Sequence, residues 1–150
     1  MNINDIKILR EETGAGLLEA KQTLEKYNGD VARAREELMQ KGLAKADKKA
    51  DRVTKDGLVH AYIHGTGKVG SIVVVACETD FVAKTEAFKK LCHELALQVC
   101  TEDYSDNEAL LSSEYIKDPS KKVSDLLKET IAKVGEKIEV KKFAKFSVID

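Results

Sequence analysis

At 150 residues the chain has room for one ordinary domain or two small ones. It is 43% hydrophobic and 34% charged, enough to bury a core beneath a heavily charged surface. Its 25 Lys and Arg face 26 Asp and Glu, a net charge of −1 that argues against a dedicated nucleic-acid binder or a protein drawn to anionic membranes.

The first residues, Met1-Asn2-Ile3-Asn4-Asp5-Ile6-Lys7, have neither the apolar stretch of a signal peptide nor an acid-free, Arg-rich presequence. No run approaches the roughly 18 apolar residues of a membrane span. The three cysteines include no Cys-x-x-Cys pair. Cys92 and Cys100 fall on one expected helix, about 12 Å apart along its axis, too far for a disulfide. Free, mostly buried thiols in a reducing cytoplasm are the economical reading.

The first forty residues read as three short helices. Asn4 is a candidate cap for the first, which carries Ile6 and Leu9 and breaks at Thr13-Gly14-Ala15-Gly16. The second holds Leu17, Leu18, Lys21, Leu24 and Tyr27 and stops at Asn28-Gly29; Asp30 caps the third, and Gly42 is expected to end it. Residues 1–43 therefore form a three-helix module. Residues 44–56 are charged nearly all round and read as a solvated linker helix.

From residue 57 the period changes to two. Leu58-Val59-His60-Ala61-Tyr62-Ile63-His64, a Gly65-Thr66-Gly67-Lys68 turn and the β-branched run to Cys77 make a hairpin. A helix is expected from Thr79 to about Thr101, with Phe88, Leu91, Cys92, Leu95, Ala96 and Val99 along its inner stripe. After a polar stretch, Asp118-Pro119-Ser120 is expected to open another helix, carrying Val123, Leu126, Leu127, Ile131 and Val134 and closed by Gly135. In the tail Ile138, Val140, Ala144, Phe146 and Val148 share one face of a third strand. The expectation for residues 57–150 is an α+β core: a three-stranded antiparallel sheet covered on one side by the two helices.

Little in the chain suggests chemistry. Gly65-Thr66-Gly67-Lys68-Val69-Gly70 has the Gly-x-Gly-x-x-Gly spacing, but a strand follows it where a dinucleotide site needs a helix. His60 and His64 share a strand face about 13 Å apart, too far for one metal ion. Glu78 and Asp80 find no nucleophile, Lewis acid or substrate cradle to work with, and helix capping suffices to explain Asp80. Phe81 is ambiguous: an apolar residue at a helix start usually packs inward, yet Phe88 to Val99 already supply the inward stripe. Leu17 and Leu18 raise a similar question, since adjacent leucines on a helix cannot both face one core.

Together these segments resemble the elongation factor Ts family, the nucleotide exchange factors of elongation factor Tu. The resemblance rests on Leu9-Arg10-Glu11-Glu12-Thr13-Gly14-Ala15-Gly16, on Asn28-Gly29-Asp30, on Glu78-Thr79-Asp80-Phe81-Val82-Ala83 and on Lys133-Val134-Gly135-Glu136-Lys137-Ile138. It implies a ubiquitin-associated-like N-terminal bundle that grips the nucleotide-binding domain of elongation factor Tu, with Arg10, Leu17, Leu18 and Lys21 at the matching positions. The family more often has methionines where this chain has Leu17 and Leu18, a volume-conserving change. It implies too that Thr79, Asp80, Phe81 and Val82 insert near the partner's magnesium ion, Phe81 as wedge and Asp80 helping to reshape the site. No catalytic residue, cofactor or metal of the chain's own is implied, nor any nucleic acid or membrane as partner. Longer members carry a second core half or a helical insertion before the final helix; short members pair two chains, so a homodimer is expected here. The alternatives are a ubiquitin-associated-like adaptor and an RNA-binding accessory protein using Lys137, Lys141, Lys142 and Lys145.

Overall fold

The computed structural model describes residues 2–149. They separate into two compact units: one takes the residues up to Asp51 together with Lys128–Glu136, the other Arg52–Leu127 and the residues from Lys137 onward.

The first unit contains α1 (Ile3–Thr13), α2 (Leu17–Lys26) and α3 (Val31–Asp47) around Ile6, Leu9, Ala20, Leu24, Ala34 and Leu38. Asn2 caps α1 in place of the expected Asn4: its side chain accepts the Asn4 N–H at 2.9 Å. Asp30 caps α3 as expected, accepting from the Arg33 N–H at 3.1 Å. Gly14 ends α1 at φ 74°, its N–H bonded to the Arg10 carbonyl at 2.9 Å.

Gly42 does not end α3, which runs on to Asp47. Its role is close approach. A Cβ there would lie 2.9 Å from the Cβ of Ala132, and one on Gly14 would lie 2.2 Å from the Ala132 carbonyl oxygen. Ala132 belongs to α7 (Val123–Val134), whose residues from Lys128 onward are part of this unit. The Lys128 ammonium adds an ion pair to Asp47 at 3.1 Å.

In the second unit β1 (Asp56–His64), β2 (Val69–Cys77) and β5 (Ile138–Ser147) form an antiparallel sheet in the order β1-β2-β5. The Gly65 to Lys68 segment is the hairpin turn between β1 and β2, with Gly65 and Gly67 at positive φ. One sheet face is covered by α5 (Glu86–Thr101), which buries Phe88, Leu91, Leu95 and Val99 against Val73 and Val75. The Ser71 hydroxyl fastens the two layers, donating to the Ala96 carbonyl at 2.6 Å. The α+β class is as expected.

Three local expectations change. The helix after Thr79 is two helices, α4 (Asp80–Ala83) and α5, because the Thr85 hydroxyl accepts the Phe88 N–H at 3.2 Å and starts α5 afresh. Asp118-Pro119-Ser120 opens a strand: β4 (Asp118–Lys122) pairs with β3 (Glu114–Tyr115) after a short helix, α6 (Asn107–Ser112). The Asp118 carboxylate bonds to the Ser120 N–H and hydroxyl, a local turn that competes with helix, and α7 starts at Val123 with Asp125 reaching back to the Lys122 N–H at 2.9 Å.

The third change is a β-bulge. Val74 pairs with Lys142 and Val75 with Val140, so Lys141 has no opposite number and the alternation of β5 flips there. Ile138 and Val140 face α5, but beyond the bulge Phe143 takes the inner face and Ala144 and Phe146 the outer one. The expected single apolar face does not run through the strand. The outer face instead gathers Val59, Ile63, Ile72 and Phe146, all exposed. The second expected cover helix, α7, gives its Lys128–Val134 half to the first unit.

Candidate functional site

The most distinctive local geometry is the corner where β2 becomes α4. Strand β2 ends at Cys77, the chain bends at Glu78, and Thr79, in extended conformation, accepts the Val82 N–H on its hydroxyl at 3.3 Å and caps a single helical turn. Val82 and Ala83 turn inward and are buried. The Thr85 hydroxyl closes the far end, donating to the Val82 carbonyl at 2.7 Å. The Cys77 thiol donates to the Thr79 carbonyl at 3.1 Å, tying cap to strand. On the outside of this braced turn Phe81 is 80% exposed.

That exposure answers the question pattern left open: Phe81 packs outward. Leaving a whole Phe side chain in water forfeits about 2 kcal/mol of burial. Asp80 beside it is exposed and reaches Lys84 at 3.4 Å, a surface pair of small energetic weight. Thr79 and Val82 hold the turn; Asp80 and Phe81 are what it presents.

In the first unit Leu17 and Leu18 are 59% and 66% exposed at the start of α2. Neither joins the core, so the pair forms an apolar patch. Lys21 lies one turn along the same helix, and Arg10 is exposed in the last turn of α1. The tight turn at Gly14 to Gly16 sets this patch beside the end of α1. The structure brings Leu17, Leu18 and Lys21 together on one helix and Thr79 to Val82 together on one turn; the two groups belong to different units.

Other polar clusters are structural. Glu94 is buried, accepting from the Tyr115 hydroxyl at 2.8 Å and the Lys117 ammonium at 2.7 Å. Burial pushes its carboxyl up, but these two partners outweigh it and leave it below its ordinary value. Gln98 donates to the Tyr104 hydroxyl and the Glu114 carbonyl and accepts from the Ile116 N–H, clipping the β3–β4 ribbon to α5. His60 and Tyr62 of β1 meet His93 of α5 edge to face, at ring-centroid distances of 5.7 and 5.1 Å. Burial, and His93 beside it, hold His60 below its ordinary value. Among the described residues no group of three or more His, Cys, Asp or Glu is placed to hold a metal ion, and no helix is long and apolar enough to cross a membrane.

Comparison with known proteins bears on this geometry. The family model described as Elongation factor TS matches residues 78–150, from the first residue of the corner onward. Elongation factor Ts of Moorella thermoacetica is 39% identical over 189 aligned positions, covering 96% of this chain and 93% of the relative. That of Coprothermobacter proteolyticus is 37% identical, covering 95% of each.

The chain belongs to the elongation factor Ts family.

It is a compact member of this family of translation elongation factors. The aligned 189 positions exceed its own 150 residues, so the Moorella elongation factor Ts holds internal residues that this chain lacks. Elongation factor Ts of Nostoc sp. is 44% identical over 97% of the chain, but the chain covers 46% of that relative. Sequence reasoning about the elongation factor Ts signature missed the part of Glu78, whose bonding partner lies 59 residues further on, and of Thr85, whose capping role was hidden inside an apparently continuous helix.

Proposed function

We propose that this chain is a guanine-nucleotide exchange factor that accelerates GDP release from elongation factor Tu, making and breaking no covalent bond. Family membership supports the partner, and the observation that carries the mechanism is Phe81, held 80% exposed on a turn capped at both ends. A ring on a mobile loop would lose its push to rearrangement of the loop. Here burial of Val82 and Ala83 and the capping bonds of Thr79 and Thr85 oppose that rearrangement.

The physical sequence has two parts. Leu17 and Leu18, flanked by Arg10 and Lys21, dock on the nucleotide-binding domain of elongation factor Tu. Two exposed leucines give an apolar anchor, and the cations around it orient the approach. The Thr79-Asp80-Phe81-Val82 turn then inserts near the bound magnesium ion. Magnesium neutralises phosphate charge and clips GDP in place, so displacing its surroundings removes part of that stabilisation. Because the factor binds the nucleotide-free form best, linkage requires factor and nucleotide to weaken each other equally.

The exposed outer face of the sheet supports pairing of two chains. Ile63, Ile72 and Phe146 line an apolar groove of about 370 Å³, Val59 is exposed on the same face, and covering that face with the same face of a second copy would give a closed, two-fold sheet sandwich. The proposed setting is the cytoplasm, where translation proceeds.

GDP release followed with a fluorescent nucleotide tests the function. The expected result is strong acceleration by the intact chain at millimolar magnesium, shrinking when magnesium is chelated beforehand, since two perturbations of one stabilising contact are not additive. Absence of acceleration would remove the proposal.

A further inference from the structure

We infer that Glu78 is a positioning residue for the Phe81 turn: its carboxylate takes the main-chain N–H that the sheet would otherwise pair, and so fixes where the chain leaves β2. The inference rests on the exchange reading above.

The β2–β5 ladder ends at the pair Cys77 and Ile138. The next pair in register would be Glu78 and Lys137. There the backbone of β2 turns away toward α4, which would cost the Lys137 N–H its acceptor. The Glu78 side chain replaces it: Oε2 accepts the Lys137 N–H at 2.7 Å. The substitution lets the chain turn off the sheet without leaving a polar group unsatisfied, and it pins the corner to a strand distant in sequence.

The same oxygen lies 3.4 Å from the Arg52 guanidinium. That side chain is 51% exposed, so the ion pair is of the surface kind and contributes little. An N–H bond to a carboxylate is roughly twice as strong as one between neutral groups. The acceptor role, and not the pairing with Arg52, therefore holds the corner. On the other side the Lys55 N–H donates to the Cys77 carbonyl at 3.1 Å, so the strand end is fixed from both edges just before Glu78. Two residues later stands Asp80, and then Phe81. Any freedom gained at Glu78 passes straight to the ring.

The test compares the full chain with Glu78→Ala, Glu78→Gln, Arg52→Ala and, as control, Phe81→Ala. Two readouts are taken: native-state amide hydrogen exchange, and GDP release from elongation factor Tu at varied factor concentration. Glu78→Ala is expected to raise exchange of the amides of residues 79–83 about tenfold, with the interior of α5 unchanged. It is expected to lower the maximal GDP-release rate about tenfold while the half-saturating concentration moves less than about threefold, because docking through Leu17 and Leu18 is untouched. Glu78→Gln keeps an acceptor oxygen, and Arg52→Ala keeps the carboxylate, so both should stay within about threefold of the unaltered chain.

A wild-type maximal rate with Glu78→Ala overturns the inference, as does Glu78→Gln failing as badly as Glu78→Ala. A uniform loss of amide protection across α5 and the sheet also overturns it, since that marks a general structural role. If the unaltered chain accelerates nothing, the exchange reading fails, and the amide data still decide whether Glu78 holds the turn.

Discussion

Substituting Gly14 and Gly29 by alanine separates two roles that glycine plays in the first unit. Both adopt left-handed backbone, at φ 74° and 86°. An alanine at either site therefore carries the same conformational penalty, about 1 kcal/mol. Their surroundings differ. A Cβ on Gly29 meets nothing within 4 Å, whereas on Gly14 it falls 2.2 Å from the Ala132 carbonyl oxygen and 2.7 Å from the Lys133 Cα. Those are backbone atoms and cannot swing aside, so an overpacking cost of about 1–3 kcal/mol is added. Gly14→Ala should then cost about 2–4 kcal/mol in total and Gly29→Ala about 1 kcal/mol. Urea unfolding followed by circular dichroism gives both values, and amide exchange of Lys128–Val134 shows where the extra cost falls. Equal costs for the two variants would refute the close approach of α7 to the end of α1, and with it the bracing of the turn that leads into Leu17 and Leu18.

Native cysteine labelling with a thiol reagent at pH 8 should modify Cys100 alone, because Cys77 and Cys92 are buried and burial, helped by Cys77 nearby, pushes the Cys92 thiol up to about 12; all three should react once the chain is unfolded. Glu139 is held down at about 2 by the Lys141 ammonium and then the Thr54 hydroxyl, against an ordinary value of 4.5. Its folded value lies below its unfolded one, so the stability it confers is fully present above about pH 4.5 and is lost as pH falls toward 2. Glu139→Gln should remove part of the acid sensitivity in that window, with Glu37, held at about 2 chiefly by Lys26, keeping the rest. On the proposed pairing of sheets, light scattering at micromolar concentration should give the mass of two chains, and Phe146→Lys, which puts a charge on the outer face, the mass of one; one mass for both proteins would dismiss that pairing.

What could be read from sequence was what local chemistry decides. The β-branched run before Cys77 announced a buried strand, Asp30 announced a helix start, and the change of period at residue 57 announced the passage from helices to sheet; the start near Thr79-Asp80 was legible too, but its cap is Thr79 and not Asp80, whose carboxylate pairs with Lys84. The features that escaped depend on distant partners. Gly42 looks like a helix terminator until Ala132 is seen against it. The bulge at Lys141 hides in a run of lysines whose facing is set by Val74 and Val75. Asp118-Pro119-Ser120 has the residue types of a helix opening, and only the pairing with Glu114 to Tyr115 makes it a strand. Phe81 was undecidable for a different reason. Propensity and periodicity describe what lowers the free energy of one chain, and an exposed aromatic on a braced turn raises it. The resemblance to a family implies a role for Phe81, and the burial of Val82 beside it explains how the ring can be kept outside.

The proposed division of labour makes Phe81 the wedge and Leu17 and Leu18 the grip. It is tested most directly by measuring, on the same preparations, the affinity of Phe81→Ala for elongation factor Tu and its maximal stimulation of GDP release. Phe81 touches no core, so the fold should survive at unchanged thermal midpoint. Binding should persist within about tenfold while the maximal rate falls by more than that, the pattern of an interaction used mainly in the step that expels nucleotide. A folded Phe81→Ala chain that binds normally and releases GDP as fast as the unaltered protein would contradict it.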